Sequence, residues 1–147
     1  MKVAIGSDHR GYLLKERIKS LLTGEGHQVA DFGTYSTESV DYPDYGIAVA
    51  ENVASGEADR GIVVCGSGIG ISIAANKVKG VRAALCFTVD EARMTRRHND
   101  SNVLALAEKS MEDPDVEEIV MVWMKTEFDG GRHKVRIDKI TDYEESR

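Results

Sequence analysis

The stretch Gly61-Ile62-Val63-Val64-Cys65-Gly66-Ser67-Gly68-Ile69-Gly70-Ile71-Ser72-Ile73 decides how this chain is read. Its opening residues are apolar without alternation, the pattern of a strand covered on both faces, as in a parallel sheet. Three glycines at alternate positions then turn the chain, and a helix is expected from about Ile71 to Val78. The same strand–helix unit repeats on both sides. Upstream, Val3 to Ile5 reads as a strand, and Leu14, Ile18, Leu21 and Leu22 recur at helical spacing until Gly24 and Gly26. Val29 to Phe32 is a second strand, and a long loop carrying Asp41-Tyr42-Pro43 leads to a helix from about Tyr45 to Ser55. Downstream, Val81 to Cys86 is a fourth strand, a helix lies around Asp90 to Arg97, and Val103 to Leu106 is the fifth strand. Asp113-Pro114 has the form of a helix start, with Asp as N-cap and Pro at the first helical position. Val116, Ile119, Val120 and Trp123 give that helix its buried face. After Gly130-Gly131 a last, basic helix begins near Arg132, with a tail that frays from Glu144. This alternation predicts an α/β fold in one domain over residues 1–147, with a five-stranded parallel sheet and a C-terminal helix.

Of the 147 residues, 41% are hydrophobic and 30% charged, the make-up of a globular chain rather than a disordered one. A net charge of −6 argues against nucleic acid or an anionic membrane as partner, since basic surface binds both. No stretch has the length and hydropathy of a membrane span or a signal peptide. Cys65 and Cys86 do not make a disulfide scaffold, so the expected setting is the cytoplasm, with free thiols.

Ligands of open parallel sheets bind beyond the carboxyl ends of the strands. Two segments meet there: Gly6-Ser7-Asp8-His9 after the first strand and Cys65-Gly66-Ser67-Gly68-Ile69-Gly70 after the third. The glycines let backbone N–H groups approach a ligand, and the helix that follows adds a positive dipole end, which makes an anion hole. A tight turn with no ligand would use the same glycines. The loop is not that of the nucleotide kinases, because no Gly-Lys-Ser/Thr follows, and its Gly-x-Gly-x-Gly spacing is a poor dinucleotide fingerprint. A thiol at this place can have its pKa lowered from ~8.5 toward neutrality, although free cysteines often only pack. Ser67 is placed to hydrogen-bond the sulfur. Cys86 has no such loop and is assigned to the core. Asp8-His9 supplies an acid/base pair or an anion contact, unless Asp8 merely caps the next helix. His98-Asn99-Asp100, read as a loop after the fourth helix, offers a second proton-transfer group in His98 and a donor to a sugar oxygen in Asn99. Arg132 and Arg136 share a helix face at i, i+4, with Lys139 a turn further, and suit a phosphate; a solvated basic face is the alternative. His9, His27, His98 and His133 lack metal-ligand spacing, so no metal is expected.

Taken together, Gly6-Ser7-Asp8-His9, Asp41-Tyr42-Pro43, Cys65 to Gly70 with Ser72 to Lys77, Arg96-Arg97-His98-Asn99-Asp100 and Gly130-Gly131-Arg132-His133 resemble the type B ribose 5-phosphate isomerases, to about Ile140. The resemblance implies a Rossmann-like three-layer fold and a homodimer, sometimes paired into a tetramer, with sites at the subunit interface. It implies conversion of ribose 5-phosphate to ribulose 5-phosphate through a cis-enediolate, with no cofactor. Carried over, Cys65 is the base with Ser67 beside it, and the loop of Gly66, Gly68, Ile69 and Gly70 stabilises the enediolate. His98, with Asp8 nearby, assists ring opening. Asn99 and Tyr42 belong to the sugar site, and His9, Arg132 and Arg136 to the phosphate. Two departures stand out. Ser67 replaces the usual Thr, and Lys109 falls where relatives commonly carry a phosphate-contacting Arg, which reduces a fork to a point charge.

Other readings separate on particular residues. The resemblance extends to galactose 6-phosphate isomerase, which divides these site residues between two different chains, whereas this chain carries both sets; allose 6-phosphate is a further six-carbon candidate. A receiver-type signalling domain needs an Asp where Cys65 stands. A sugar-phosphate-binding regulator would need the glycine loop and the arginines but not Cys65.

Overall fold

The computed structural model describes residues 1–147. Five strands form one parallel sheet: β1 (Lys2–Ser7), β2 (Gln28–Asp31), β3 (Arg60–Cys65), β4 (Ala83–Leu85) and β5 (Val103–Ala107), in the order β2-β1-β3-β5-β4. The connecting helices are α1 (Tyr12–Gly24), α2 (Tyr42–Ala54), α3 (Ile69–Asn76) and α4 (Val89–Asn99), followed by α5 (Val116–Lys125) and α6 (Arg132–Glu145). The strands alternate between two cores, as period-two geometry requires. Val3, Ile5, Ile62, Val64, Leu104 and Leu106 point to the face covered by α1, α4 and α5, with the fully buried Trp123 at its centre. Ala4, Val63, Cys65, Val103 and Ala105 point to the opposite face, under α2 and α3. The architecture is the expected three-layer α/β arrangement.

Several boundaries differ from the expectation, each for a local reason. The fourth strand is shorter than Val81–Cys86 because it lies at the sheet edge and ladders with β5 alone. Its open side is closed by Asn76, whose amide donates to the Ala83 carbonyl (2.9 Å) and accepts from the Ala83 N–H (2.8 Å). Helix α2 begins at Tyr42 rather than Tyr45, with Pro43 in its first turn, where its missing N–H costs nothing. Asp113 is not the N-cap of α5. Its carboxylate accepts the Asp115 N–H (2.8 Å) in a turn, and the helix starts at Val116, past Pro114. Helix α3 starts at Ile69, two residues early, so Gly70 lies in its first turn. Helix α4 starts at Val89 behind a reciprocal cap between Thr88 and Glu91, and it continues through His98 and Asn99, which the sequence reading placed in a loop.

The C-terminal segment does not fray at Glu144. Helix α6 runs to Glu145, where the Glu144 carboxylate accepts the Gly80 N–H (3.2 Å) between α3 and β4. At its other end the Asp129 N–H donates to the Arg97 carbonyl (3.0 Å). The helix therefore straps the amino edge of the sheet, and only Ile137 of its residues is buried.

Candidate active site

Strand β3 delivers Cys65 to the carboxyl edge as part of a buried ladder, with Cys65 opposite Ala107 of β5. The Gly68 N–H donates to Cys65 Sγ (3.2 Å), so the partner of the sulfur is a backbone amide. Ser67, expected to bond the sulfur, instead accepts the Ile69 N–H at its Oγ (3.1 Å). The N–H groups of Ser67, Gly70 and Ile71 have no acceptor in the chain and remain available to an anion at the start of α3. The loop glycines are sterically required. Gly68 has φ +76°, and a Cβ there would lie 2.4 Å from Leu85 Cδ1; one at Gly70 would lie 2.6 Å from the Tyr42 ring. Tyr42 is thereby seated against the loop.

The loop after β1 meets this one. The Asp8 N–H donates to the Val64 carbonyl (3.2 Å), and Asp8 Oδ1 accepts the N–H groups of Arg10 and Gly11, both at 3.0 Å. Asp8 thus fastens the entry to α1. His9 Nδ1 accepts the Val40 N–H (3.1 Å), which leaves Nε2 free. Arg10, unmarked by any sequence motif, lies over Gly66 and donates from Nε to Glu108 (2.9 Å) in the turn after β5. A cleft of about 770 Å³ opens beside Gly66 and Ser67, walled by Arg10, Phe87, Glu108 and Lys109. Lys109 Nζ sits 4.7 Å from the centre of the Phe87 ring. This cleft runs along the α1 side of the loop, whereas Cys65 points under α2 and α3 and is only 4% exposed.

The second group of expected residues lies elsewhere. A crossover helix runs antiparallel to its strands, so His98 and Asn99, closing α4, sit at the amino edge. The length of a strand, roughly 15 Å, separates them from Cys65. Arg132 and Arg136 lie with them, exposed on α6 and without an acidic partner. One chain does not unite the two sets. The end of α4 is pinned by the buried Arg96, which donates from Nη1 to Asp100 Oδ1 (2.8 Å) and to the Ser101 carbonyl (2.6 Å). Asp100 itself closes the helix in the left-handed region, at φ 45°. Arg97 pairs with Asp129 (3.1 Å), and the ring of His133 stacks on that of His98 at 4.2 Å between centroids and 13° between planes.

The ribose/galactose isomerase family matches residues 3–140. This chain belongs to that family. It is 56% identical to ribose-5-phosphate isomerase B of Clostridium thermocellum, whose structure superposes with a TM-score of 0.97 over 99% of each chain. It is 45% identical to ribose-5-phosphate isomerase B of Escherichia coli over 99% of this chain and 98% of the relative. The Mycoplasma genitalium ribose-5-phosphate isomerase B, solved with bound ribulose-5-phosphate, is 41% identical, with a TM-score of 0.94 over 99% of this chain and 97% of its own. The protein is accordingly a sugar-phosphate isomerase.

Two further features of this isomerase bear on its chemistry. Burial, and then Glu91, pushes the Cys86 thiol up to about 12, so the second cysteine is held as an inert thiol in the core. His98, Asp129 and His133 bring possible metal-ligating atoms within 4.8 Å of one another, a cluster that sequence spacing missed because α4 and α6 meet only in the fold. The two rings are nearly parallel, so their in-plane lone pairs do not converge on one point. No helix is long and apolar enough to cross a membrane.

Proposed function

We propose that the protein interconverts ribose 5-phosphate and ribulose 5-phosphate, with Cys65 as the base. The observation that carries this reading is the Gly68 N–H directed at Cys65 Sγ (3.2 Å), at the head of a loop whose Ser67, Gly70 and Ile71 amides are unengaged. The sulfur, as thiolate, takes the proton from C2 of the open-chain aldose. The electron pair moves toward O1 to give a cis-enediolate, the O2 proton passes to O1, and the proton held on sulfur returns to C1 as the C2 oxygen becomes the ketone. The free amides hold the developing oxyanion, and each such donor is worth about 2.7–4 kcal/mol. His9 Nε2 and Lys109, with Arg132 and Arg136, grip the phosphate; Tyr42 lines the sugar, and Asn99 holds its hydroxyls. His98, opposite Asp8, opens the furanose ring. No cofactor enters this chemistry, and the cytoplasm is the compartment that suits its reduced thiols.

Because the two residue sets lie at opposite edges of one sheet, the site takes His98, Asn99, Arg132 and Arg136 from the partner subunit of a homodimer, alone or paired into a tetramer. Ile69 and Ile73 on α3, each 55% exposed, and Val135 and Ile140 on α6, at 58% and 52%, are apolar surface for a second copy to cover. A six-carbon sugar phosphate is the second reading, favoured by the family itself, which joins ribose and galactose isomerases.

Incubation with ribose 5-phosphate in deuterated water should place deuterium in the ketose product. Cys65→Ala should lower kcat by about a thousandfold or more while still binding the sugar phosphate; comparable turnover by that variant rejects Cys65 as the base. Mixing is the test of the shared site. Cys65→Ala and His98→Ala chains, refolded together, should recover about a quarter of wild-type activity, since half of the random dimers carry one intact site of two. No recovery would mean that each chain builds its own site. A higher kcat/KM on allose 6-phosphate or galactose 6-phosphate than on ribose 5-phosphate would select the six-carbon reading.

A further inference from the structure

The geometry points to His133 as a positioning residue that acts through His98, holding the plane of its ring. The inference rests on the role given to His98 above. His98 occupies the last turn of α4 and His133 the first turn of α6, and the faces of the rings lie 4.2 Å apart with 13° between them. An imidazole that must exchange a proton with a sugar oxygen needs its ring plane fixed, and in a helix end only side-chain packing can do this. The stack does so from one face. The loop between α5 and α6 is itself tied to α4, by the Asp129 N–H to the Arg97 carbonyl (3.0 Å) and by the Arg97–Asp129 ion pair (3.1 Å).

The charges around the pair act on the ring of His133. Arg97 lies on α4, Asp129 on the connecting loop, and Arg132 and Arg136 on α6. His133 sits on the same short helix segment as the two arginines. Partial removal from water, then the positive charge of His98, Arg132 and Arg136, holds its imidazole below the ordinary histidine range, with Asp129 opposing. A neutral His133 stacks on His98 without the repulsion that two imidazolium rings would meet.

Two variants separate the parts of this role. His133→Phe keeps a flat ring and removes the nitrogens, whereas His133→Ala removes both. In substrate-free protein the NMR ring resonances of His98 should carry a ring-current shift from the stacked partner in the wild type and in His133→Phe, and lose it in His133→Ala. With ribose 5-phosphate, His133→Phe should keep kcat within about threefold. His133→Ala should lose about tenfold in kcat with KM little changed. Identical His98 ring shifts in the wild type and in His133→Ala, or a Phe variant no more active than the Ala variant, would overturn the assignment. A wild-type protein without isomerase activity would sink the function proposed above, and the ring shifts alone would then decide whether the two rings are stacked.

Discussion

At the carboxyl edge, Cys65 ends a strand buried on both faces, and its loop is shaped by contacts with no slack: Leu85 against Gly68 and the Tyr42 ring against Gly70. At the amino edge, His98 and Asn99 close a helix whose residues Asp90 to Arg97 are mostly polar, and what holds them is a set of ion pairs and one ring stack. The first region gets its precision from the core, and its geometry should survive changes in salt and surface charge. The second gets its precision from charged groups, the buried Arg96 on Asp100 and the exposed Arg97–Asp129 pair, of which the exposed pair stabilises the fold little. The shared site proposed above would combine a rigid reaction centre with an adaptable grip.

The largest test of that contrast is Gly68→Ala. With φ +76° and Leu85 Cδ1 2.4 Å from the new methyl group, the substitution should cost about 3 kcal/mol of stability and take activity with it, as read by denaturant unfolding. A change below 1 kcal/mol would show that the carboxyl edge has slack after all. Arg136→Ala should behave in the opposite way. Stability should stay within about 0.5 kcal/mol, because the guanidinium has no acidic partner, while kcat/KM falls by roughly tenfold to fiftyfold through KM. A stability loss equal to that of Gly68→Ala would put the amino edge in the same class as the carboxyl edge.

The smallest effect concerns acid. Asp31 ends β2 at the carboxyl edge. Burial alone would raise its pKa, but Lys15 Nζ at 2.7 and 2.8 Å, the Gly33 N–H and Lys19 together hold the carboxyl below the ordinary 3.8. A lowered folded-state pKa means stability that is present above the unfolded value and lost as pH falls through the folded one. Hydrogen exchange at mildly acid pH, below about 4, should therefore show loosening first at residues 31–35. Earlier loosening around Asp100 and Asp129 would reverse the order of the two edges.

Much of this was legible along the chain. Unbroken apolar runs marked β1, β3 and β5 because both faces of a central strand are buried, and the alternate glycines marked a loop that backbone must approach closely. The edge strand β4 was overextended, since hydrophobic Val81 and Cys86 pack without laddering. The start of α5 was misplaced because Asp113 serves a turn as well as it would a cap. Of the candidate residues, Asp8 proved to fasten its own loop, and Ser67 bonds Ile69 rather than the sulfur. Arg10 and Glu108, 98 positions apart, left no signal, because an ion pair between two loops has no periodicity.

Sequence by itself determined the layers, the number of strands and the two sets of polar residues, since burial period and glycine spacing are properties of neighbours in the chain. The order β2-β1-β3-β5-β4, the separation of Cys65 from His98 across the sheet, and the stacking of His98 on His133 were decided only in three dimensions. The reason is that a helix returning antiparallel to its strand carries its last residues to the far edge, and which distant side chains then meet depends on how all the elements pack at once.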